Sequence, residues 1–174
     1  LVAEGRSCTL VGFPGDQVGT LGRHVYELHH DCSRFGVRSI NPTSLQILHV
    51  AAHVDAIENL VLPALRKNRT VILDRFWWST WVYGVAGRAN KESLKAAIAV
   101  EAIHWRGIRP ARLFLVERSV PLEPQRDLRR WQRVRTLYRQ FASTQKRAHP
   151  ITIVRNESTP DAALAEVRSH LQEL

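Results

Sequence analysis

Cysteine is scarce in this chain of 174 residues: Cys8 and Cys32 are the only two, and they form no C-x-x-C or metal-finger spacing. That excludes a disulfide framework and a cysteine-based zinc site, and it points to a reducing compartment, with the cytoplasm the expected location. Lysine is nearly as rare, at 4 residues against 21 arginines. Long apolar runs are missing as well. None approaches the roughly 20 residues needed to cross a bilayer, and the first residues do not read as a signal peptide. Repeats, low-complexity linkers, the G-x-S-x-G elbow, the dinucleotide fingerprint, H-E-x-x-H and the known nucleic-acid-binding motifs are all absent. What remains is a chain with 44% hydrophobic and 24% charged residues. At this length it can bury about two-thirds of its unfolded surface without staples.

The charge is one-sided. Twenty-five basic against 16 acidic side chains leave a net charge of +9, which suits an anionic partner. Arginine dominates it, and a guanidinium grips phosphate or carboxylate with two parallel hydrogen bonds where lysine offers one point charge. The densest cluster is Arg126, Arg129, Arg130, Arg133, Arg135 and Arg139. Its members spread around several faces of an expected helix with no regular aromatic spacing. A phosphate-binding surface and a solvated basic helix are equally open on that evidence alone.

Residues 1–6 read as the end of a helix closed by Gly5. CTLVG at 8–12 is a short apolar strand, and FPGD at 13–16 is the turn behind it. A helix is predicted over 20–30, a loop over 34–42, and a long periodic helix over 44–67 in which Pro63 kinks or restarts the last turn. TVILD at 70–74 is the clearest strand, followed by the tryptophan-rich stretch of Phe76, Trp77, Trp78 and Trp81. Asn90 reads as the N-cap of a helix ending near Trp105. ARLFLV at 111–116 and ITIV at 151–154 are further strands, with an arginine-rich helix over 126–143 between them. Thr159, with Pro160 behind it, caps a final helix.

Apolar strands separated by helices describe an α/β domain with a parallel sheet flanked by helices on both faces. Such folds bind ligands at the carboxyl ends of their strands. Two strands deliver chemistry there: the first feeds Phe13-Pro14-Gly15-Asp16, and the second ends in Asp74-Arg75. Asp74 can hold Mg²⁺ directly or through water, and Arg75 can fork onto a phosphate. An internal Asp74–Arg75 pair that only secures the strand end is the competing explanation. The tryptophans can stack on a base, or simply pack.

Taken together, LPAL at 62–65, VILDRFWWSTWVYG at 71–84 and AGR at 86–88 resemble the thymidylate kinase family. Phe13-Pro14-Gly15, Gly22, Arg133-Val134 with Tyr138 and Ala142, and Asn156 with Ser158 fall at further positions of the family pattern. The resemblance implies a P-loop kinase fold with five parallel strands in the order 2-3-1-4-5. It also implies transfer of the γ-phosphoryl group of ATP to a nucleoside monophosphate, dTMP or a relative, with Mg²⁺ as cofactor. Asp74 is then placed at the metal and acceptor phosphate, and Arg75 on that phosphate. Arg126 and Arg129 would supply charge from the lid. Phe13, His53, Phe76, Ser79 and Tyr83 would form the acceptor pocket, Asn156 and Ser158 would lie near adenine, and a homodimer is the common family assembly.

The departures are specific. The G-x-x-x-x-G-K-S/T loop that cradles the triphosphate is absent. Family arginines fall at Gly12 and His53, and the base-reading glutamine falls at Gly84. His53 is the smaller, titratable donor in that set. Two explanations stand: a kinase-like domain that binds nucleotide, nucleic acid or a protein without turnover, or a single domain over 1–174 shortened at its start and in the lid near 117–126. The second is expected, because the missing strand is the central one and a parallel sheet without it exposes two inner edges. Of the eight histidines, His49 and His53 are four apart, but without a third ligand they read as polar-network residues rather than a metal site.

Overall fold

The structure, a computed structural model, describes residues 5, 7–15, 17–121 and 127–172. Asp16 and residues 122–126, half of the segment expected as a shortened lid and including Arg126, lie outside the described residues, as does most of the expected helix end at 1–6. The chain divides into two compact units, Leu1–Gly107 and Ile108–Leu174.

In the first unit, β1 (Cys8–Gly12) and β2 (Thr70–Asp74) run parallel, with Cys8 opposite Thr70 and Gly12 opposite Asp74. Between them come α1 (Leu21–His30), a short 3₁₀ turn over Cys32–Phe35 in the expected loop, α2 (Pro42–Ala56), a π-helical turn (Ile57–Val61) and α3 (Leu62–Arg66). The π turn is the local answer to Pro63. Proline has no N–H for the preceding turn and its ring crowds that turn. The backbone widens ahead of it, and the Leu62 amide reaches back five residues to the Ile57 carbonyl. After β2 follow α4 (Trp78–Ala86) and α5 (Lys91–His104), the latter capped by the Asn90 side chain on the Ser93 amide. The helix α4 was not foreseen as an element, because its residues are β-branched and aromatic and carry no N-cap.

The core of this unit gathers Val11, Phe13, Ala56, Ile57, Val61 and Leu62, with Val71, Leu73 and Trp105 packed against them. Side chains alternate across a strand. The helices therefore cover Val11 and Leu73, while Leu10 and its register partner Ile72 stay 63% and 42% exposed. Burial on both faces, expected from the continuous apolar strands, is not what these strands show. The run from Pro42 to Arg66 is also long and apolar enough, by length and composition, to cross a membrane. It packs against α1, α4 and α5, and buries Gln46, Val50, Ala52, His53 and Ala56 in doing so.

The second unit pairs β3 (Leu113–Glu117) in parallel with β4 (Ile151–Arg155), and carries α6 (Leu128–Gln145) and α7 (Pro160–Leu171). Asp127 caps α6 and Thr159 caps α7 through their side-chain oxygens. Arg139 of α6 forks onto Glu117 at the end of β3, with both N···O distances 2.6 Å. Among the described residues the strands form two parallel pairs, β1 with β2 and β3 with β4.

Candidate active site

The carboxyl ends of β1 and β2 are held level by their register, and the Phe13 amide continues the ladder by donating to the Asp74 carbonyl at 2.9 Å. Phe13 is thereby buried at the strand end. Behind it the chain turns so tightly that a side chain at Gly22 would meet the Pro14 carbonyl oxygen at 1.8 Å, which fixes α1 against the Phe13-Pro14-Gly15 turn. Gly15 itself has φ +100, open to glycine and strained for other residues.

Asp74 closes β2 exposed, and Arg75 follows with φ 74. For a side chain with a Cβ this left-handed conformation costs about 1–2 kcal/mol, a strain that functional sites often retain. It turns the chain out of the strand and puts the guanidinium carbon 5.5 Å from the Tyr83 ring centroid. Phe76 lies 5.8 Å from Trp105 and 5.9 Å from Trp77, ring centre to ring centre. Ser79 is half-buried in α4, its amide donating to the Phe76 carbonyl.

His53 comes from α2 and is 3% exposed. Its ring stacks on Phe13, with centroids 4.5 Å apart and planes 17° apart. Its Nδ1 lies 2.8 Å from Oε2 of Glu101 on α5, itself 1% exposed, and the other oxygen of Glu101 accepts from Trp105 Nε1 at 3.1 Å. One turn earlier, His49 meets His29 edge to face at 5.2 Å. Burial pushes His49 down to about 4, helped by the positive potential of His29, His53, Arg75 and His30.

Thus Phe13, His53, Asp74, Arg75, Phe76, Ser79 and Tyr83 all belong to the first unit, grouped around the ends of β1 and β2. In the second unit, Arg129 is exposed on the first turn of α6. Asn156 follows β4, its amide on the Glu117 carbonyl and its side-chain oxygen accepting from Arg118 at 3.3 Å, and Ser158 is exposed in the turn before α7. Glu101, and the hydrogen bond that Trp105 donates to it, were missed by sequence reasoning. The signal for Glu101 was present: a lone acid in AAIAVEAI, seven residues after Leu94 and so on the same buried helix face. Gly84 has a packing reason of its own. A Cβ there would sit 2.7 Å from Leu94 and 3.2 Å from Gln46, so a glutamine does not fit without moving the α4–α5 contact.

In a parallel α/β core, side chains gathered at the carboxyl ends of the strands stand where such folds bind ligands. The thymidylate kinase family profile matches residues 30–159, and the chain belongs to that family. It is 36% identical over 93 residues to a thymidylate kinase of Chlorobium chlorochromatii, covering 53% of this chain and 39% of that one. With a thymidylate kinase of Chlamydia trachomatis it is 32% identical over 118 residues, 67% of this chain and 55% of the relative. The chain thus spans about half the length of these curated relatives or less. The crystal structure of thymidylate kinase from Ehrlichia chaffeensis superposes with a TM-score of 0.72 at 19% identity, covering 95% of this chain and 81% of that one, which establishes the fold.

Proposed function

We propose that this chain carries the acceptor site of a nucleoside monophosphate kinase, which transfers the γ-phosphoryl group of ATP to dTMP or a related nucleotide. The observation that carries this reading is the corner at Asp74-Arg75, where a strained arginine stands over Tyr83 beside the Phe76–Trp105 ring pair. Phosphoryl transfer asks a protein mainly to position its reactants and neutralise charge. Arg75 takes the acceptor phosphate, and Phe13, Phe76 and Tyr83 wall the nucleoside. Asp74 offers one carboxylate to Mg²⁺, which suits an ion that keeps most of its ligands as water and phosphate. Mg²⁺ when bound neutralises the phosphates. Among the described residues no group of three or more His, Cys, Asp or Glu could hold a metal alone.

The residues present do not fit the triphosphate of ATP, since no G-x-x-x-x-G-K-S/T occurs among them. We therefore assign that cradle, with the central strand, to chain additional to these residues. The exposed apolar face at Leu10 and its register partner Ile72 supports further chain packed on these strands. Arg129, with Arg126, is assigned to the lid, and Asn156 and Ser158 to the adenine side. The apolar stripe of Val100 and Ile103 on α5, 50% and 72% exposed, is assigned to a homodimer in the cytoplasm. The test is ADP release by the protein extended to include a P-loop, with Mg-ATP and a panel of nucleoside monophosphates. Acceptor-dependent turnover, lost at least tenfold in Arg75→Ala with the fold retained, is expected. A P-loop-bearing protein that binds nucleotide yet turns over no acceptor would replace this reading with that of a non-catalytic binding domain.

A further inference from the structure

Resting on the acceptor-site reading, we propose that Glu101 is a positioning residue of that site. Its buried carboxyl group holds the His53 and Trp105 rings in place, and through them Phe13 and Phe76, the two phenylalanines assigned to the nucleoside wall. Glu101 acts on the nucleoside only through those rings.

Glu101 is 1% exposed on α5, with the apolar AAIAV before it and AI after it. A buried carboxyl group costs free energy unless its oxygens find partners, and an apolar side chain of similar volume in its place is often neutral or stabilising. Stability alone is therefore a poor account of an acid here. Its partners are both ring nitrogens. Oε2 lies 2.8 Å from His53 Nδ1, and Oε1 accepts from Trp105 Nε1 at 3.1 Å. The contact with His53 is a hydrogen bond whichever of the two groups carries the proton between them.

Each ring bears on the phenylalanines. His53 lies almost flat on Phe13, with centroids 4.5 Å apart and planes 17° apart. Trp105 stands 6.0 Å from Phe13 and 5.8 Å from Phe76. The Phe13 backbone is fixed by its amide on the Asp74 carbonyl, while its ring is fixed by these neighbours. Trp105 needs the tether most. It is half-buried at the C-cap of α5, and the chain leaves the helix behind it through Arg106 at φ 51. An indole at a helix end has several rotamers open to it, and the bond to Glu101, one turn earlier on the same face, selects one. The end of the helix is anchored separately by Glu58 of the π-helical turn, which accepts from Arg106 Nη2 at 2.8 and 3.0 Å and lies 3.0 Å from His104 Nδ1. Glu58 holds the helix end and Glu101 holds the rings, so substitution can separate the two roles.

The test compares Glu101→Met, which keeps the length of the side chain and removes its oxygens, with Glu101→Gln, which keeps a hydrogen-bonding head. In Glu101→Gln the amide oxygen accepts from Trp105 and the amide nitrogen donates to His53, whose neutral ring can carry its proton on either nitrogen. Binding of dTMP, dUMP, dCMP and dAMP to the parent chain and its variants is measured by calorimetry, at a temperature where thermal melts show each protein folded. For the monophosphate that the parent binds most tightly, Glu101→Met is expected to lose about tenfold in affinity and Glu101→Gln to stay within about threefold. Glu58→Gln, which loosens the same helix end through its exposed ion pair, is expected to bind like the parent. Parent affinity in Glu101→Met overturns the proposal, and so does Glu101→Gln binding as weakly as Glu101→Met. A loss in Glu58→Gln equal to that in Glu101→Met overturns it too, in favour of a general loosening. If Glu101→Met does not fold, Trp105→Phe takes its place, keeping a ring and losing the N–H. About tenfold weaker binding in that variant upholds the proposal, and parent affinity overturns it. Binding of none of the four monophosphates by the parent defeats the acceptor-site reading itself, an outcome distinct from all of these.

Discussion

Acidification from pH 7 to pH 4 should destabilise the first unit by about 3 kcal/mol through His49 alone. The ring titrates near 6.5 when free and is pushed down to about 4 in the fold, chiefly by burial. The groups facing it, His29, His53, Arg75 and His30, are basic and add to the effect. The unfolded chain takes up a proton as the pH falls through 6.5, and the folded chain refuses it until about 4. Stability from this group is therefore complete above about 6.5 and drains away down to about 4. At about 1.4 kcal/mol for each unit of displacement, the whole shift amounts to roughly 3 kcal/mol. His49→Gln keeps a polar side chain of similar reach and removes the titration. Urea unfolding followed by tryptophan fluorescence should show the variant losing about 2–3 kcal/mol less than the parent between pH 7 and pH 4. NMR titration of the His49 ring protons reads the midpoint directly. A midpoint near 6.5, or parallel pH dependence in parent and variant, would falsify the reasoning.

Gly22→Ala should cost about 3 kcal/mol or more, because its methyl would fall 1.8 Å from the Pro14 carbonyl oxygen and backbone must move. A thermal melt showing a loss under about 1 kcal/mol would mean the turn adapts more easily than its packing suggests. Asn90→Ala removes the acceptor for the Ser93 amide and should cost about 1 kcal/mol, with Asn90→Asp close to neutral in the same melt. Glu117 is held below the ordinary carboxylate range by its hydrogen bonds from Arg139. In Arg139→Ala its carboxyl should rise toward the usual value by NMR titration. The stabilisation it gives is present above the free carboxylate range and lost as the pH falls through the folded value, so the variant should lose less on acidification. An unmoved Glu117 would show that Arg139 is only a neighbour.

The legible part of this fold was local. Asn90 and Thr159 announce their helices because a cap needs only its own side chain and an amide three residues on. All four strands could be placed within a residue or two, because each is a compact apolar run between turns. Asp74 and Arg75 could be put at a strand end for the same reason. The uncovered face at Leu10 and Ile72 could not be read, since a β-branched or aliphatic strand residue looks the same whether or not a helix lies over it. The left-handed turn at Arg75 was equally silent, because nothing in its residue type demands it.

By itself, then, the sequence determines the parallel α/β class, the family pattern around TVILDRF and the placing of aspartate and arginine at the end of a strand. Tertiary structure decides which groups meet around them. His53 and Glu101 are 48 residues apart on two helices, and neither carries a local mark of the other. Only the packing of α2 on α5 brings a carboxylate to one nitrogen of the ring. A buried pair of this kind exists only once the chain has folded.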